Sequence, residues 1–386
     1  METLKNSLAR RSILAAFIFS FNVALTAYVN SSFLSNYFSA QMVGVIFSLA
    51  SLSTLIILEF SPRILERLGV RRTTSIFLFI NLLMISMLAT ATQGIFIALA
   101  LIFYIATNNI ILYNIDIIIA HFANQSHVGE IRGLYLTITN LAWLMSPFLA
   151  GVVVQIFGAP VLYSIASLTI APALLIILFG IKKFQDTKYH DRSLFASFQF
   201  IHSHKDISLI ILSFFLLQVF YAWMVIYTPL YLIKEKGFEF GDIGIIFTIM
   251  LLPFVLLELP LGRLADKKLG EKELLVFGFI IMACAVFLFG TYTGNSLLYI
   301  AILLFFSRVG AATVEVMSNT YFFKCIDDRE PFLISLFRNM TPAAYLIAPV
   351  VATLIISLFG FLGLYITLGI VLVFGAAIAL KIHDTR

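Results

Sequence analysis

The residues best suited to chemistry in this sequence are three ionisable side chains within long apolar runs, Asp116, Arg308 and Glu315. Arg308 and Glu315 are seven residues apart, which is two turns along one face of a helix. At 1.5 Å per residue, Arg308 lies about 16 Å from the start of its apolar run near Leu297. A charge at that depth of a bilayer costs at least about 2.5 to 3.5 kcal/mol unless it is paired or faces water.

Two interpretations of these residues stay open. Either Asp116 or Glu315 binds and releases a proton, or the carboxylates form interhelical ion pairs that change with conformation. A direct bond between Arg308 and Glu315 would have to span about 10 Å of helix rise. We therefore expect each of the two to have its own partner on another helix or to share water.

The composition indicates a membrane as the solvent. Of the 386 residues, 61% are hydrophobic and 12% are charged, and the mean hydropathy is +1.02. Soluble domains are about 45–50% apolar and about 25% charged. The run from Leu354 to Leu380 is almost continuously apolar, unlike the alternating segments of about ten residues in a membrane barrel. The sequence therefore predicts an all-α membrane protein, because helices bond their own backbone polar groups.

Runs of about 20 apolar residues bounded by charge, Gly or Pro predict twelve transmembrane helices. A polar interval at 183–206 predicts a cytoplasmic linker between an N-terminal six-helix half, 1–182, and a C-terminal six-helix half, 207–386. The predicted helices are 12–30, 40–60, 73–91, 95–119, 133–156, 161–182, 208–231, 241–259, 273–291, 297–320, 334–357 and 362–382.

The basic residues orient these helices. With both termini in the cytoplasm, 22 of the 25 Lys and Arg residues fall in cytoplasmic segments, Lys234 and Lys236 fall outside, and Arg308 falls within a helix. Lys and Arg in short loops are retained on the cytoplasmic side. We therefore expect a multi-pass protein of the cytoplasmic membrane with both termini inside. The net charge of +5 then reflects topology and indicates no nucleic-acid partner.

The two halves resemble each other in sequence. Asp116 and Glu315 are 199 residues apart, as are Glu59 and Glu258. The segment from Asn140 to Pro147 matches the segment 342–349 at an offset of 202. Agreement at three ordered sites predicts a duplicated unit and pseudo-symmetric halves.

Two segments at corresponding positions carry a family motif. The first reads Pro62-Arg-Ile-Leu-Glu-Arg-Leu-Gly-Val-Arg-Arg and the second reads Gly262-Arg-Leu-Ala-Asp-Lys-Lys-Leu-Gly. Both resemble the G-x-L-A-D-R-x-G-R-R loop of the major facilitator superfamily, although Pro62 replaces a Gly and the second copy has one extra residue. The resemblance implies that the acidic residue locks the cytoplasmic face near a helix N-terminus, whereas the plainer interpretation is charge that only sets topology. The predicted gate residues are Glu59, Glu66, Arg67, Gly69, Glu258, Gly262, Asp266, Lys267 and Gly270.

The fifth predicted helix contains Ser146-Pro147-Phe-Leu-Ala-Gly151, which resembles the antiporter motif of drug/proton antiporter-like members of that superfamily. The upstream glycines of the motif are missing. The alternative is close helix packing, because small residues beside Pro let helices approach and bend. That alternative applies to Pro147 and Gly151 and, in the second half, to Pro349.

The same resemblance implies that helices 1, 4, 7 and 10 line a transport pathway. Polar residues lie on these helices at helical spacing. The predicted cavity residues are Asn22, Thr26, Asn109, Tyr113, Gln218, Tyr221, Thr228 and Asn319.

The sequence therefore predicts a secondary active transporter that moves a small organic solute by alternating access, coupled to protons, with export slightly favoured. A metabolite importer or uniporter of the same fold is the first alternative, and a membrane-embedded enzyme or a non-transporting receptor or scaffold is the second. Neither a metal nor another cofactor is expected, because Cys284, Cys325 and the six His residues are dispersed. The expected partners are the solute, protons and the lipid bilayer, and the expected state is a monomer.

Overall fold

The computed structural model describes residues 7–122, 128–181, 205–267, 270–325 and 331–383. Within these ranges the side chains of residues 7, 120–122, 128–137, 258–259, 262–267 and 331–335 are not described. The long helices are α1 (Ser7–Ala27), α2 (Ala40–Leu68), α3 (Val70–Thr90), α4 (Gly94–Phe122), α5 (Val128–Phe157), α6 (Ala159–Leu175), α7 (Lys205–Lys234), α8 (Phe240–Lys267), α9 (Glu271–Thr291), α10 (Leu297–Cys325) and a final segment, Pro331–Ala379. A short helix, Asn30–Leu34, follows α1, and a π-helical turn, Ile176–Gly180, continues α6.

The final helical segment contains two membrane spans. Gly360 interrupts it with φ 65° and ψ −167°, a conformation that glycine adopts readily because it lacks a Cβ atom. We label the two arms α11 (331–359) and α12 (361–379). Eleven helical segments among the described residues are long and apolar enough to cross a membrane, and the division at Gly360 makes twelve spans. The prediction of an all-α, twelve-helix membrane protein is confirmed.

The predicted loop between the second and third helices was wrong. Helix α2 continues through Glu66 and Arg67 to Leu68, and α3 begins at Val70, so one residue, Gly69, separates the two helices. Gly69 has φ 75° and ψ 155°, again a backbone conformation that favours glycine. The prediction placed the end of the helix at the end of the apolar run. Charged residues end an apolar run, but a helix continues through them as long as its backbone groups stay hydrogen-bonded to each other. Helix α8 likewise extends to Lys267 rather than ending near residue 259.

The chain separates into two compact units. Unit 1 comprises Met1–Ser39, Ile46–Asp191 and Glu239–Gly244, and unit 2 comprises Ala40–Val45, Arg192–Phe238 and Ile245–Arg386. The first turn of α2 thus belongs to unit 2, although the rest of α2 belongs to unit 1. Conversely, the first turn of α8 belongs to unit 1, although the rest of α8 belongs to unit 2. These two segments are 199 residues apart, which is the offset found between the repeated carboxylates. The predicted linker lies almost entirely outside the described residues, and its boundaries stay a prediction.

The two units repeat one packing pattern. In unit 1, α3 packs on α4 and α6, and α1 packs on α5 and α6. In unit 2, α9 packs on α10 and on the α11–α12 segment, and α7 packs on that same segment. Helices α9 and α10 approach closely, since a Cβ atom on Gly278 would lie 2.9 Å from the carbonyl oxygen of Gly310. The repeated pairing agrees with the duplicated sequence.

Candidate functional site

The strongest candidate site in unit 2 is formed by Tyr221 of α7 and by Arg308 and Glu315 of α10. The Tyr221 hydroxyl donates a hydrogen bond to Oε2 of Glu315 at 2.6 Å. The guanidinium carbon of Arg308 lies 4.8 Å from the ring centroid of Phe220 and 5.5 Å from that of Tyr221. The structure thus gives Glu315 a partner on another helix, as the helix rise between Arg308 and Glu315 predicted.

Arg308 is the most unusual member of this cluster because its charge is enclosed. Its side chain is 1% exposed, and Nε and Nη1 have no hydrogen-bond partner among the described residues. Stacking of a cation on aromatic rings recovers about 0.5 to 2 kcal/mol, which is less than the several kcal/mol needed to remove a charge from water. An ionised Glu315 would attract Arg308 through the protein, so the charge states of the two residues depend on each other.

Of three further predicted residues on α7 and α10, Asn319 contacts this cluster, Gln218 lies one turn from it, and Thr228 lies apart. Gln218 is buried one turn before Tyr221 on α7, and Asn319 donates a hydrogen bond from Nδ2 to the backbone oxygen of Glu315 at 2.8 Å. Thr228 is two turns farther along α7, where its hydroxyl faces the sulfur of Met224 and the hydroxyl of Tyr365. Thr228 therefore packs within unit 2, and its predicted contact with solute has no support from these bonds.

Asn22 and Thr26, predicted to line the cavity, belong to a buried polar network in unit 1. Asn22 donates from Nδ2 to the Ala166 oxygen at 2.5 Å and accepts from the Tyr104 hydroxyl at 2.9 Å. The Tyr104 hydroxyl also lies 2.9 Å from the hydroxyl of Thr26. Both predicted residues have no exposed surface. These contacts favour a role in holding α1, α4 and α6 together.

Asn81 of α3 extends the same network, and the sequence interpretation missed it. Its Nδ2 lies 3.2 Å from the Tyr104 oxygen, 2.7 Å from Oγ1 of Thr107 and 2.8 Å from Oδ1 of Asn108, and its two N–H groups donate among these three acceptors. The available signal was an amide in an apolar helix, Asn81, together with three polar residues in a single turn of α4. An amide that is placed in hydrocarbon needs partners nearby.

The predicted polar stripe on α4 is present and half-buried. Asn109, Tyr113 and Asp116 share one face of the helix, and each is partly accessible. Asn109 donates from Nδ2 to the backbone oxygen of Ile105 at 3.0 Å. On the opposite side, Asn114 is fully buried, and neither amide atom has a partner among the described residues. Helix α4 therefore has polar groups on two faces, of which the sequence interpretation recognised one.

The predicted gate residues are only partly described. Glu59, Glu66 and Arg67 are exposed on α2, and Gly69 and Gly270 stand directly before α3 and α9. The side chains of Glu258, Asp266 and Lys267, and the surroundings of Gly262, lie outside the described residues. The gate role of all these residues therefore stays a prediction.

Beside Gly270, the structure shows an ion pair that was not predicted. Glu271 begins α9, is 1% exposed, and receives the Lys324 ammonium of α10 at 2.6 Å on Oε1. A carboxylate in the first turn also meets the positive end of the α9 dipole. This pair connects two helix ends of unit 2.

The predicted packing residues Pro147, Gly151 and Pro349 lie at close backbone contacts. In unit 1, a Cβ atom on Gly151 would lie 2.9 Å from the Cα atom of Gly244. In unit 2, the Pro349 oxygen accepts a hydrogen bond from the Tyr227 hydroxyl at 3.1 Å, and a Cβ atom on Gly44 would also lie 3.1 Å from that oxygen. Gly44 thus lies beside Pro349, and Gly244 lies beside Pro147. The two glycines occupy corresponding positions in the halves, because the offset between them is close to that of the sequence repeat.

Comparison with known proteins agrees with this duplicated helical architecture. The model of the Major Facilitator Superfamily matches residues 12–242 and 232–386. The chain belongs to the major facilitator superfamily. No curated protein sequence matches it significantly.

Solved structures with the same fold include the nucleoside transporter NupG. A mutant of NupG is 12% identical, covers 97% of this chain and 99% of its own, and superposes with a TM-score of 0.79. NupG itself is 13% identical with the same coverage and a TM-score of 0.76. At these identities the likeness establishes the fold, and membership of a transporter family excludes the membrane-enzyme alternative. The chain is thus a multi-pass membrane protein of the major facilitator superfamily.

Proposed function

We propose that this member of the superfamily is a secondary active transporter that moves a small organic solute by alternating access and needs no cofactor. The observation that supports this most is the Tyr221, Arg308 and Glu315 cluster within two membrane-spanning helices. Ionisable groups at such depth are costly and usually mark a substrate or ion pathway. We further propose that the protein works as a monomer in the cytoplasmic membrane, with both termini inside.

The proposed coupling ion is a proton. Glu315 is half-buried and accepts a hydrogen bond from Tyr221, so a proton can reach its carboxyl group while Tyr221 stays in contact with it. Asp116 occupies the corresponding position in the first half, 199 residues earlier, and is also partly accessible. A fixed or alternating ion pair with Arg308 is the competing role for Glu315.

A direct test compares Asp116→Asn and Glu315→Gln with the matched control Glu273→Gln, an exposed carboxylate on α9. Each purified variant is reconstituted, and solute uptake is measured with and without a pH gradient. We expect Glu315→Gln or Asp116→Asn to keep solute exchange while abolishing the response to the gradient, and Glu273→Gln to behave as the wild type. Normal proton coupling in both of the first two variants would overturn the proton-carrier proposal.

Nucleosides are the first solutes to test. The chain shares its fold with a nucleoside transporter over nearly its whole length. The partly accessible members of the cluster are the Tyr221 ring and the Glu315 carboxylate, which can stack on a base and bond to hydroxyl groups. Thermal unfolding of the purified protein with a panel of nucleosides, sugars and amphipathic drugs would find a ligand, and flux of that ligand would follow. A stabilising drug that leaves the vesicle against its gradient would support export, as the Ser146–Gly151 segment suggests, whereas a stabilising nucleoside that enters would support an importer or uniporter.

A further inference from the structure

A cavity of about 560 Å³ opens where three helix connections of unit 2 meet. The connections join α7 to α8, α9 to α10, and α11 to α12, so the cavity lies at one end of the unit. We call it the loop pocket. The residues that line it and matter here are Tyr231, Glu235, Lys236, Tyr292, Phe359 and Phe361. This pocket is separate from the Arg308 cluster, which lies inside the spanning part of α7 and α10.

Lys236 is held firmly in the loop pocket. Its ammonium donates to the Tyr292 oxygen at 2.6 Å and to the Gly294 oxygen at 3.1 Å. The same nitrogen lies 5.8 Å from the ring centroid of Tyr231 and 5.4 Å from that of Tyr292. Burial lowers the pKa of the Lys236 ammonium below its usual value. An ammonium has three N–H groups, so one remains for an acceptor that enters the pocket.

The pocket also carries the opposite charge. Glu235 lines it beside Lys236, and its carboxylate is close enough to act electrostatically on Tyr231. A purely anionic occupant would be attracted by Lys236 and repelled by Glu235. The lining is therefore complementary to a group that carries an anion and a cation a short distance apart.

The rim of the pocket is apolar and exposed. Phe359 and Leu362, which line the pocket, are 70% and 50% exposed, respectively. In a membrane protein, apolar side chains at helix ends contact lipid at the boundary between acyl chains and headgroups. The rim is thus an exposed apolar surface suited to hydrocarbon chains, beside the charged lining of Glu235 and Lys236.

We propose that the loop pocket binds a phospholipid whose headgroup carries a phosphate and a primary amine. The phosphate accepts the remaining N–H of Lys236, the amine donates to the Glu235 carboxylate, and the acyl chains lie on Phe359 and Leu362. A small solute without acyl chains would leave the apolar rim uncovered, and an anionic lipid without an amine would leave Glu235 unpaired. This site is independent of the transported solute.

The test measures lipid binding without transport. Purified protein in neutral detergent is titrated with short-chain phosphatidylethanolamine, phosphatidylcholine or phosphatidylglycerol, and bound lipid is counted by native mass spectrometry alongside thermal unfolding. We expect the wild type to prefer phosphatidylethanolamine. Glu235→Gln should remove the preference for the amine, and Lys236→Gln should weaken binding of all three lipids by about fivefold, because one lysine near a lipid surface contributes that much. Lys234→Gln, an exposed neighbour, should leave binding unchanged.

Three results would overturn the proposal. The first is unchanged binding in both Glu235→Gln and Lys236→Gln, and the second is a wild-type preference for phosphatidylglycerol. The third is equal binding of glycerophosphoethanolamine, which lacks acyl chains and would make the pocket a site for a soluble molecule. If Lys236→Gln fails to fold because two carbonyl groups lose their donor, Glu235→Gln alone decides, since Glu235 is exposed.

Discussion

The hydrogen bond between Tyr221 and Glu315 offers a quantitative test of the charged cluster. Tyr221→Phe removes the hydroxyl that donates to Glu315 at 2.6 Å. The ring remains, so its contact with Arg308 at 5.5 Å and with the Phe254 ring at 6.2 Å is preserved. The substitution therefore removes the hydroxyl and its bond to Glu315 while it keeps the ring.

The expected size of the effect depends on the charge of Glu315. A hydrogen bond to a charged group contributes about 1.5 to 3 kcal/mol, and one between neutral groups contributes about 0.5 to 1.5 kcal/mol. If Glu315 is ionised beside Arg308, Tyr221→Phe should lower the free energy of unfolding by about 1.5 to 3 kcal/mol. In a Glu315→Gln background, the same substitution should cost no more than the neutral range, about 0.5 to 1.5 kcal/mol.

The assay is equilibrium unfolding in mixed micelles for the wild type, both single variants and the double variant. Tyr299→Phe is the control, because Tyr299 is 40% exposed and its substitution should change stability by less than about 0.5 kcal/mol. An equal cost of Tyr221→Phe in both backgrounds would mean that the hydroxyl gains nothing from a charge on Glu315. That result would refute the cluster as a coupled unit.

Three other substitutions test the supporting structure. Asn81→Ala should lower the free energy of unfolding by about 2 to 4 kcal/mol, since both N–H groups of a buried amide lose their acceptors. Solute selectivity in a flux assay should stay unchanged, and exposed Asn36→Ala is the control. Gly69→Ala should cost about 1 to 3 kcal/mol in the same unfolding measurement, because φ at this residue is 75°, and a neutral result would show that the α2–α3 turn is misplaced. Glu271→Gln should cost about 1 to 3 kcal/mol by weakening the bond from Lys324, whereas Glu273→Gln should fall within about 0.5 kcal/mol of the wild type.

The sequence predicted the architecture because hydrophobic length is a local property. Each span is a long and mostly apolar run, and even the boundary between α11 and α12 is marked by glycine, Gly360. The repeat at an offset near 200 could also be recognised, and the unit boundaries at Ala40–Val45 and Glu239–Gly244 follow the same offset. Helix ends were predicted less well. The predicted second helix ended at residue 60, whereas α2 continues through the charged residues Glu66 and Arg67 to Leu68.

The partners of polar residues could not be predicted from spacing alone. Asn22 lies on a helix expected to line the pathway, yet its amide bonds to α4 and α6 inside unit 1. Glu271 is next to a recognised motif, but its burial depends on Lys324, 53 residues away. Which face of a membrane helix meets another helix is decided by packing between distant segments. Tyr221 was predicted as a cavity residue and Glu315 as a proton-coupling or ion-pair residue, and the contact between the two was not predicted.

Solute counterflow in proteoliposomes tests the central claim most directly. Vesicles that contain the purified protein are loaded with an unlabelled solute identified by thermal stabilisation, and uptake of the labelled solute is followed after dilution. A secondary transporter should give a transient, saturable accumulation of label that requires no ATP and is absent from protein-free vesicles. Flux equal to that of protein-free vesicles for every stabilising ligand would contradict the account, because a receptor or scaffold of this fold would bind the solute without moving it.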